Sequence, residues 1–234
     1  MHRLVGGRPP KDDKLMVEAM CFVLRTGLPW RDLPAEFGPW KSVYTRWRRW
    51  CRTGLWAHLF KKIAGRGFGQ IRSMDTTCIK VHAHGANPAG GQQAQAMGRT
   101  KGGLNTKLAM IVDALGRPVA MQLAPGNRHD LKACAGLWSE QRGGWLVADR
   151  AFDSDKLREA LAAHGIFTCI PLKAGRRKTY HFNPSLYAHR HTVENANARL
   201  KRFRRIGTRY DKLAETFLGF ILLAASLDWL LSEV

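Results

Sequence analysis

A change of hydrophobic period near Gly65-Arg-Gly-Phe-Gly69 constrains the fold of this chain more than any single residue does. Before it, apolar residues recur every three or four positions. After it, they alternate or run in short blocks of strand length. The chain should therefore hold a small helical unit, residues 1–66, linked through glycines to a larger sheet-forming unit, residues 70–234.

In the first unit Asp12 or Asp13 is placed to cap a helix carrying Leu15, Met16, Ala19, Met20 and Val23, which stops at Gly27 ahead of Pro29. Ser42 is placed to cap a second helix, whose apolar stripe is Val43, Tyr44, Trp47, Trp50 and Cys51. Arg46, Arg48, Arg49 and Arg52 fall on the opposite face. Such a helix is either the recognition element of a helix-turn-helix-like all-α unit or a solvated face over a tryptophan core. The lack of acids among these arginines favours DNA contact.

The second unit opens with a strand at 71–82 and a Gly-, Ala- and Gln-rich stretch, 83–103, that reads as a mobile loop. Strands at 104–114 and 118–124 flank a hairpin at Leu115-Gly116-Arg117. A helix near 130–139, a buried strand 145–149, a helix 154–164 and a strand 166–170 follow. A polar helix containing Glu194 and a long apolar helix, 212–231, complete the order. Three meandering strands followed by alternating helix and strand is the order of the ribonuclease-H-like α/β fold. No internal repeat is visible.

Lys and Arg number 38 against 18 Asp and Glu, a formal net charge of +20. An excess of that size asks for a polyanionic partner, and nucleic acid fits better than a membrane surface. Five scattered cysteines with no C-x-x-C pair suggest a reducing compartment and no zinc knuckle. No apolar signal core opens the chain, and the longest apolar run, 217–227, is short for a bilayer span. A cytoplasmic protein with no membrane partner is expected.

Asp75 alternates with Thr77, Ile79 and Val81 on the more apolar strand face, where a lone charge is costly unless paired or metal-bound. Asp149 ends a short apolar run at the rim of the expected sheet. Its alternative role is helix capping, although Asp153 is better placed to cap the helix starting at Ser154. Glu194 closes Tyr187-Ala-His-Arg190-His-Thr-Val-Glu194, and Lys201 follows; on one helix these four side chains span an arc of roughly 60°. The competing reading of Glu194 is an ion pair with Arg190. Gathered together, Asp75, Asp149 and Glu194 would bind magnesium or manganese, two ions to a site, and handle a phosphodiester. His82-Ala-His84 and His189-Ala-Arg-His191 have poor spacing for zinc. The 83–103 stretch lacks the G-x-x-x-x-G-K-[ST] pattern, so nucleotide hydrolysis is not expected.

The spacing Tyr187-(2)-Arg190-(3)-Glu194-(6)-Lys201 resembles the Y-R-E-K signature of bacterial insertion-sequence transposases of the DDE class, and within them the insertion-sequence-five family. Further segments carry the likeness: Gly27-Leu-Pro-Trp-Arg-Asp-Leu-Pro34, Phe37-Gly38, Val43-Tyr44, Gly98-Arg-Thr-Lys-Gly-Gly-Leu-Asn-Thr-Lys107, Pro125-Gly-Asn-Arg-His-Asp130, Ala148-Asp-Arg-Ala-Phe-Asp-Ser-Asp155 and Arg204-Arg-Ile-Gly-Thr-Arg-Tyr-Asp-Lys-Leu213. The resemblance implies that Asp75, Asp149 and Glu194 are the catalytic and metal-binding acids. Tyr187, Arg190 and Lys201 would support them, with Lys201 near the DNA phosphate or flanking base.

By the same resemblance the enzyme binds terminal inverted repeats and target DNA, cleaves at the element's ends and joins 3′ hydroxyls to the target. It would act as a homodimer or higher oligomer on paired ends. Family members often carry a further helical segment before Gly7-Arg8-Pro9, so the first unit is expected to be N-terminally incomplete. Arg99, Lys101 and the run Arg199, Lys201, Arg202, Arg204, Arg205 and Arg209 are candidates to track the DNA backbone, unless acids elsewhere pair with them. A structure-selective nuclease and a non-catalytic DNA-binding module are the alternative classes.

Overall fold

The computed structural model of the protein describes residues 12–65 and 69–231. Its helical segment comprises α1 (Asp13–Thr26), α2 (Trp40–Arg52) and α3 (Leu55–Ala64). The Asp12 side chain caps α1, and Gly27 closes it in a left-handed conformation, φ 69°. Helix α2 starts two residues before Ser42, directly after Pro39, and has no side-chain cap. Its inner face is as expected: Val43 and Trp47 are fully buried, while Arg48, Arg49 and Arg52 are exposed. The expected linker at 65–69 falls partly on residues 66–68, which lie outside the described residues.

The sheet runs β2 (Gly98–Thr100), β3 (Gly103–Val112), β1 (Ile71–Val81), β5 (Trp145–Val147), β6 (Phe167–Cys169). Strand β4 (Pro118–Pro125) pairs with β3 beyond the stretch that β2 covers, and β7 (Thr208–Arg209) pairs with the end of β1. Strands β1, β3 and β4 form the antiparallel meander, whereas β5 and β6 join in parallel. This is the ribonuclease-H-like order expected from the element pattern. The 83–103 stretch is more ordered than its composition suggests. It contains β2, and Thr106 Oγ1 donates to Ala96 O at 2.8 Å. The expected helix at 130–139 reduces to α4 (Asp130–Ala133), followed by turns.

Alternation along β1 sorts the core into two layers. Met74 joins Ala109, Ile111, Leu146 and Ala148 beneath α5 (Asp155–Ala162). Ile79 faces the other way with Leu108 and Met110, toward α7 (His191–Lys201) and α9 (Ala214–Leu231). That second layer continues without a break into α1, α2 and α3, where Trp47 stacks on Phe220 at 4.1 Å. Helix α9 is longer than the 217–227 run. Its 18 residues are long and apolar enough to cross a bilayer by length alone, but 61% of it is buried in the protein. Gly219 lies under the Trp47 ring, where a Cβ would meet Cys51 Sγ at 2.6 Å. Helix α9 is thus the central wall of the core.

Candidate active site

Asp75 sits mid-strand on β1, on the α7 side, in register with Met110 of β3. On its other flank β5 pairs in parallel, Ser73 with Val147. Carried two residues further, that register sets Asp149 level with Asp75 and on the same face. Asp149 does take the capping role that was its alternative in sequence: it accepts the Ala151 N–H at 2.8 Å, opening a 3₁₀ turn at Arg150–Phe152. Asp153 caps nothing. It is buried in an ion pair with Arg158 at 3.0 Å and another with Arg176 at 2.9 Å.

Helix α7 is laid along β1 by a pin at each end. Ser73 Oγ donates to His189 O at 2.9 Å, and Thr192 Oγ1 donates to the same carbonyl at 2.7 Å. At the far end Lys201 Nζ donates to Thr77 Oγ1 at 2.6 Å and to Cys78 O at 3.1 Å. The two pins bracket Asp75 on the strand and Glu194 on the helix. The Tyr187–Lys201 stretch is not one uniform α-helix: α6 (Pro184–Tyr187) passes through a 3₁₀ turn, Ala188–Arg190, into α7. Arg190 still reaches the Tyr187 ring, 6.0 Å from its centroid, and donates to Glu194 Oε1. The ion-pair reading of Glu194 is therefore realised in this conformation.

Burial, reinforced by the charges of Asp149 and Glu194, pushes the Asp75 carboxyl up to about 6, against the Thr76 backbone N–H and Arg190. The three acids thus lie within electrostatic reach of one another. Partial burial opposes the Arg190 charge, but Glu194, Tyr187 and Asp75 outweigh it and push its pKa up. Burial lowers that of Lys201, against the pull of Cys78 and Asp75. Three hard oxygen donors whose mutual repulsion raises one of them are a suitable donor set for a divalent cation. Among the described residues, no three His, Cys, Asp or Glu side chains are already gathered closely enough to cage a metal. Glu194 is half-exposed and held by Arg190.

The expected DNA contacts divide. Arg48, Arg49, Arg52, Arg99, Lys101, Arg202 and Arg204 are exposed. Arg46 is partly buried and bound to Asp13. Arg199 and Arg205 take the other course open to them in sequence, pairing with acids. Arg199 forms a two-point pair with Asp228 at 2.8 and 2.9 Å, and Arg205 is buried against Asp211 at 2.9 and 3.1 Å. Arg209 is fully buried, with its guanidinium on Thr106 Oγ1 and the Asp211 carbonyl. These three cations hold the fold together.

Sequence reasoning missed the cluster behind β1. Lys107 Nζ, nearly buried, donates to Asp130 Oδ1 at 2.6 Å and to Arg128 O at 2.7 Å, and Thr76 Oγ1 donates to the same Asp130 oxygen at 2.6 Å. Burial would raise the Asp130 pKa, but Lys107 and Thr76 pull it down. The signal was present: a lysine inside the apolar run of β3 needs a buried partner. Asp130 thereby ties the residue after Asp75 to α4, which packs on the turn that Asp149 opens.

Residues 66–229 match the profile of the family described as "Transposase DDE domain", and residues 1–60 match "Putative transposase of IS4/5 family". The chain is similar to a "Putative transposase for insertion sequence element IS6501" of Brucella ovis, 36% identical over 129 residues, covering 54% of this chain and 99% of the relative. A "Putative transposase for insertion sequence element IS402" of Burkholderia cepacia is 30% identical over 134 residues, covering 52% of this chain and 61% of the relative. A piggyBac transposase synaptic complex with hairpin DNA superimposes with a TM-score of 0.49 at 11% identity, over 100% of this chain and 69% of that one.

Proposed function

The chain belongs to the family of transposase DDE domains, and on that premise we propose that Asp75, Asp149 and Glu194 are its catalytic acids. The protein is a transposase of insertion-sequence elements, a DNA-cleaving and strand-transferring enzyme, and its family depends on a divalent metal. The assignment of residues rests on one observation. Asp75 lies on β1, Asp149 lies two residues past the end of β5, the parallel neighbour of β1, and a glutamate-bearing helix is pinned across Asp75.

Asp75 and Asp149 form the fixed half of the site, one held by β1 and the other by its own cap on Ala151. Glu194 is the adjustable half, neutralised by Arg190 until a cation competes for it. Bound magnesium or manganese, two ions to a site, would supply Lewis-acid neutralisation of the phosphodiester. Lys201, held on Thr77 and Cys78 one strand step past Asp75, puts a fixed positive charge where the DNA backbone would pass. Tyr187 supports Arg190 through its ring face.

Residues 1–66 serve as the unit that binds the element's terminal inverted repeats, through Arg48, Arg49 and Arg52 of α2, and 70–234 as the catalytic unit. Arg99 and Lys101 at the tip of the β2–β3 hairpin, together with Arg202 and Arg204, bind backbone phosphates of end or target DNA. The two units share one core and act as one body. Five unpaired cysteines suit a cytoplasmic enzyme. Paired ends call for a homodimer or higher oligomer, which light scattering with an end-bearing duplex would detect.

The test is cleavage and joining of a DNA carrying the element's ends, with and without divalent metal. Alanine at Asp75, Asp149 or Glu194 should abolish both steps and leave end binding intact. Metal-dependent cleavage surviving in any of the three variants would overturn its assignment.

A further inference from the structure

Three sequence segments have no part in the chemistry above: the Gly27–Arg31 end of the proline-rich motif, the His82-Ala-His84 pair, and the Tyr210–Lys212 end of the last basic motif. In the fold they line a single cavity of about 690 Å³ between the helical unit and the tip of β1. That volume is within the range of clefts that bury a small organic ligand.

Local geometry builds the cavity from rigid parts. Gly27 lets the end of α1 close on α8 (Arg204–Gly207); a Cβ there would stand 3.0 Å from the Arg204 Cβ. His82 donates its N–H to Arg209 O at 2.9 Å, and its ring Nδ1 accepts from the His84 N–H at 3.2 Å. The His82 ring is thereby held 4.7 Å from Tyr210. Trp40 and Tyr44 also line it, their ring centroids 6.4 Å apart, with the Arg31 guanidinium 5.7 Å over the Trp40 ring. Arg31 and Lys212 stand exposed at the rim, and among the described residues neither forms an ion pair. Arg205, also lining the cavity, is committed to Asp211.

We propose that this cavity binds one unstacked nucleotide of the DNA substrate, its base against the rings of Trp40, Tyr44, His82 and Tyr210 and its phosphate between Arg31 and Lys212. Aromatic faces beside a cationic rim are how proteins hold bases removed from a helix, and stacking needs no particular base. The inference rests on the DNA-processing reading and adds a second anchoring point to it. His82 lies seven residues along the strand from Asp75, about 23 Å at 3.3 Å per residue. The nucleotide held there is roughly seven stacked base steps from the acids. Lys201 stands between the two sites.

The nucleotide has two possible sources, a single-stranded end or a base extruded from a duplex, and one experiment separates them. The full chain is titrated with a 2-aminopurine-labelled single-stranded oligonucleotide and with a duplex carrying the label internally. Quenching of the strand assigns the cavity to unpaired ends; quenching in the duplex as well assigns it to extruded bases. Tyr210→Leu should weaken single-strand binding about tenfold and remove the quenching in whichever probe shows it. The exposed pair Arg31→Gln and Lys212→Gln should lower the single-strand salt slope by about 1.4. Wild-type affinity, quenching and slope in these variants would overturn the inference while leaving the transposase reading untouched. Failure of the wild-type protein to bind either probe would overturn the inference, whereas loss of cleavage on end-bearing DNA would overturn the site assignment beneath it.

Discussion

Asp113, Asp153 and Asp211 are buried against arginines, whereas Asp75 and Asp149 are not. Asp113 takes two guanidinium bonds from Arg117 at 2.8 and 2.9 Å, Asp153 is shared by Arg158 and Arg176, and Asp211 is gripped by Arg205. Burial would raise the Asp153 carboxyl, but the Lys173 N–H and the two arginines outweigh it and hold it below the usual range. Asp75 has no such partner among the described residues and is pushed up to about 6. In a chain with 38 basic residues, a buried acid left without an arginine of its own is the exception. Buried pairing consumes an acid's charge in the fold, whereas Asp75 and Asp149 keep theirs available for a cation and half-exposed Glu194 is held by Arg190 alone.

The largest expected effect separates the two groups by activity. Asp75→Asn and Asp149→Asn should each lower metal-dependent cleavage by at least about a thousandfold, roughly 4 kcal/mol in the barrier. Both should still unfold cooperatively near the wild-type temperature. A collapse of thermal stability in either would move it into the structural group.

Asp153→Ala should do the reverse. Removing one member of a buried pair strands the other charge, at a cost of about 3–5 kcal/mol. At roughly 2–4 °C per kcal/mol for a chain of this size, Tm should fall by about 10 °C. Below that temperature, activity per folded molecule should persist. Calorimetry alongside cleavage assays tests this, and a stable but inactive Asp153→Ala protein would erase the distinction between the groups.

The same division runs through the cations, with a smaller effect. Arg48→Gln or Arg49→Gln on the exposed face of α2 should reduce the log–log salt slope of DNA binding by about 0.9 each. Arg199→Gln and Arg205→Gln should leave the slope unchanged and lower Tm instead. A lower slope for Arg205→Gln would show that its pair with Asp211 opens on DNA.

Which half of this contrast is legible in sequence follows from its range along the chain. The alternation of β1 gives the face of Asp75, and the strand meander gives the layer order, because both are local periodicities. Partnerships are not local. Arg199 meets Asp228 across 29 positions, and Lys107 meets Asp130 across 23, so a count of charges reads them as free. Arg205 and Asp211 are only six apart, but the turn into β7 that joins them leaves no period to read. Short elements escape for the same reason. Strand β2 has three residues and α4 has four, in each case fewer than two repeats of the pattern, so no periodicity shows. Capping by Asp149 is legible as an alternative, but the turn it opens is a 3₁₀ segment of three residues, too short to choose between the two roles.

The finest test of the contrast is the pH dependence of stability without metal. Asp75 has a folded-state pKa of about 6, above the value near 3.9 of an unfolded aspartate. The folded protein therefore holds this proton more tightly than the unfolded chain does. Its contribution to stability is complete below about pH 4 and is lost as pH rises through about 6. Two units correspond to a ceiling of about 3 kcal/mol, and water in the open cleft should reduce the observed loss to about 1 kcal/mol, or 2–4 °C. Asp75→Asn keeps the neutral shape and removes the titration, so the wild-type minus variant difference in Tm should decline between pH 4 and 6.5. Asp153 has its pKa lowered and acts in the opposite direction, gaining stability as pH rises, so only the difference isolates Asp75. Manganese at pH 7 should raise the wild-type Tm and leave that of the Asp75→Asn variant unmoved, because cation and proton compete for the same oxygens. A flat difference across the window, with no manganese effect, would mean that Asp75 is no more strained than the paired acids.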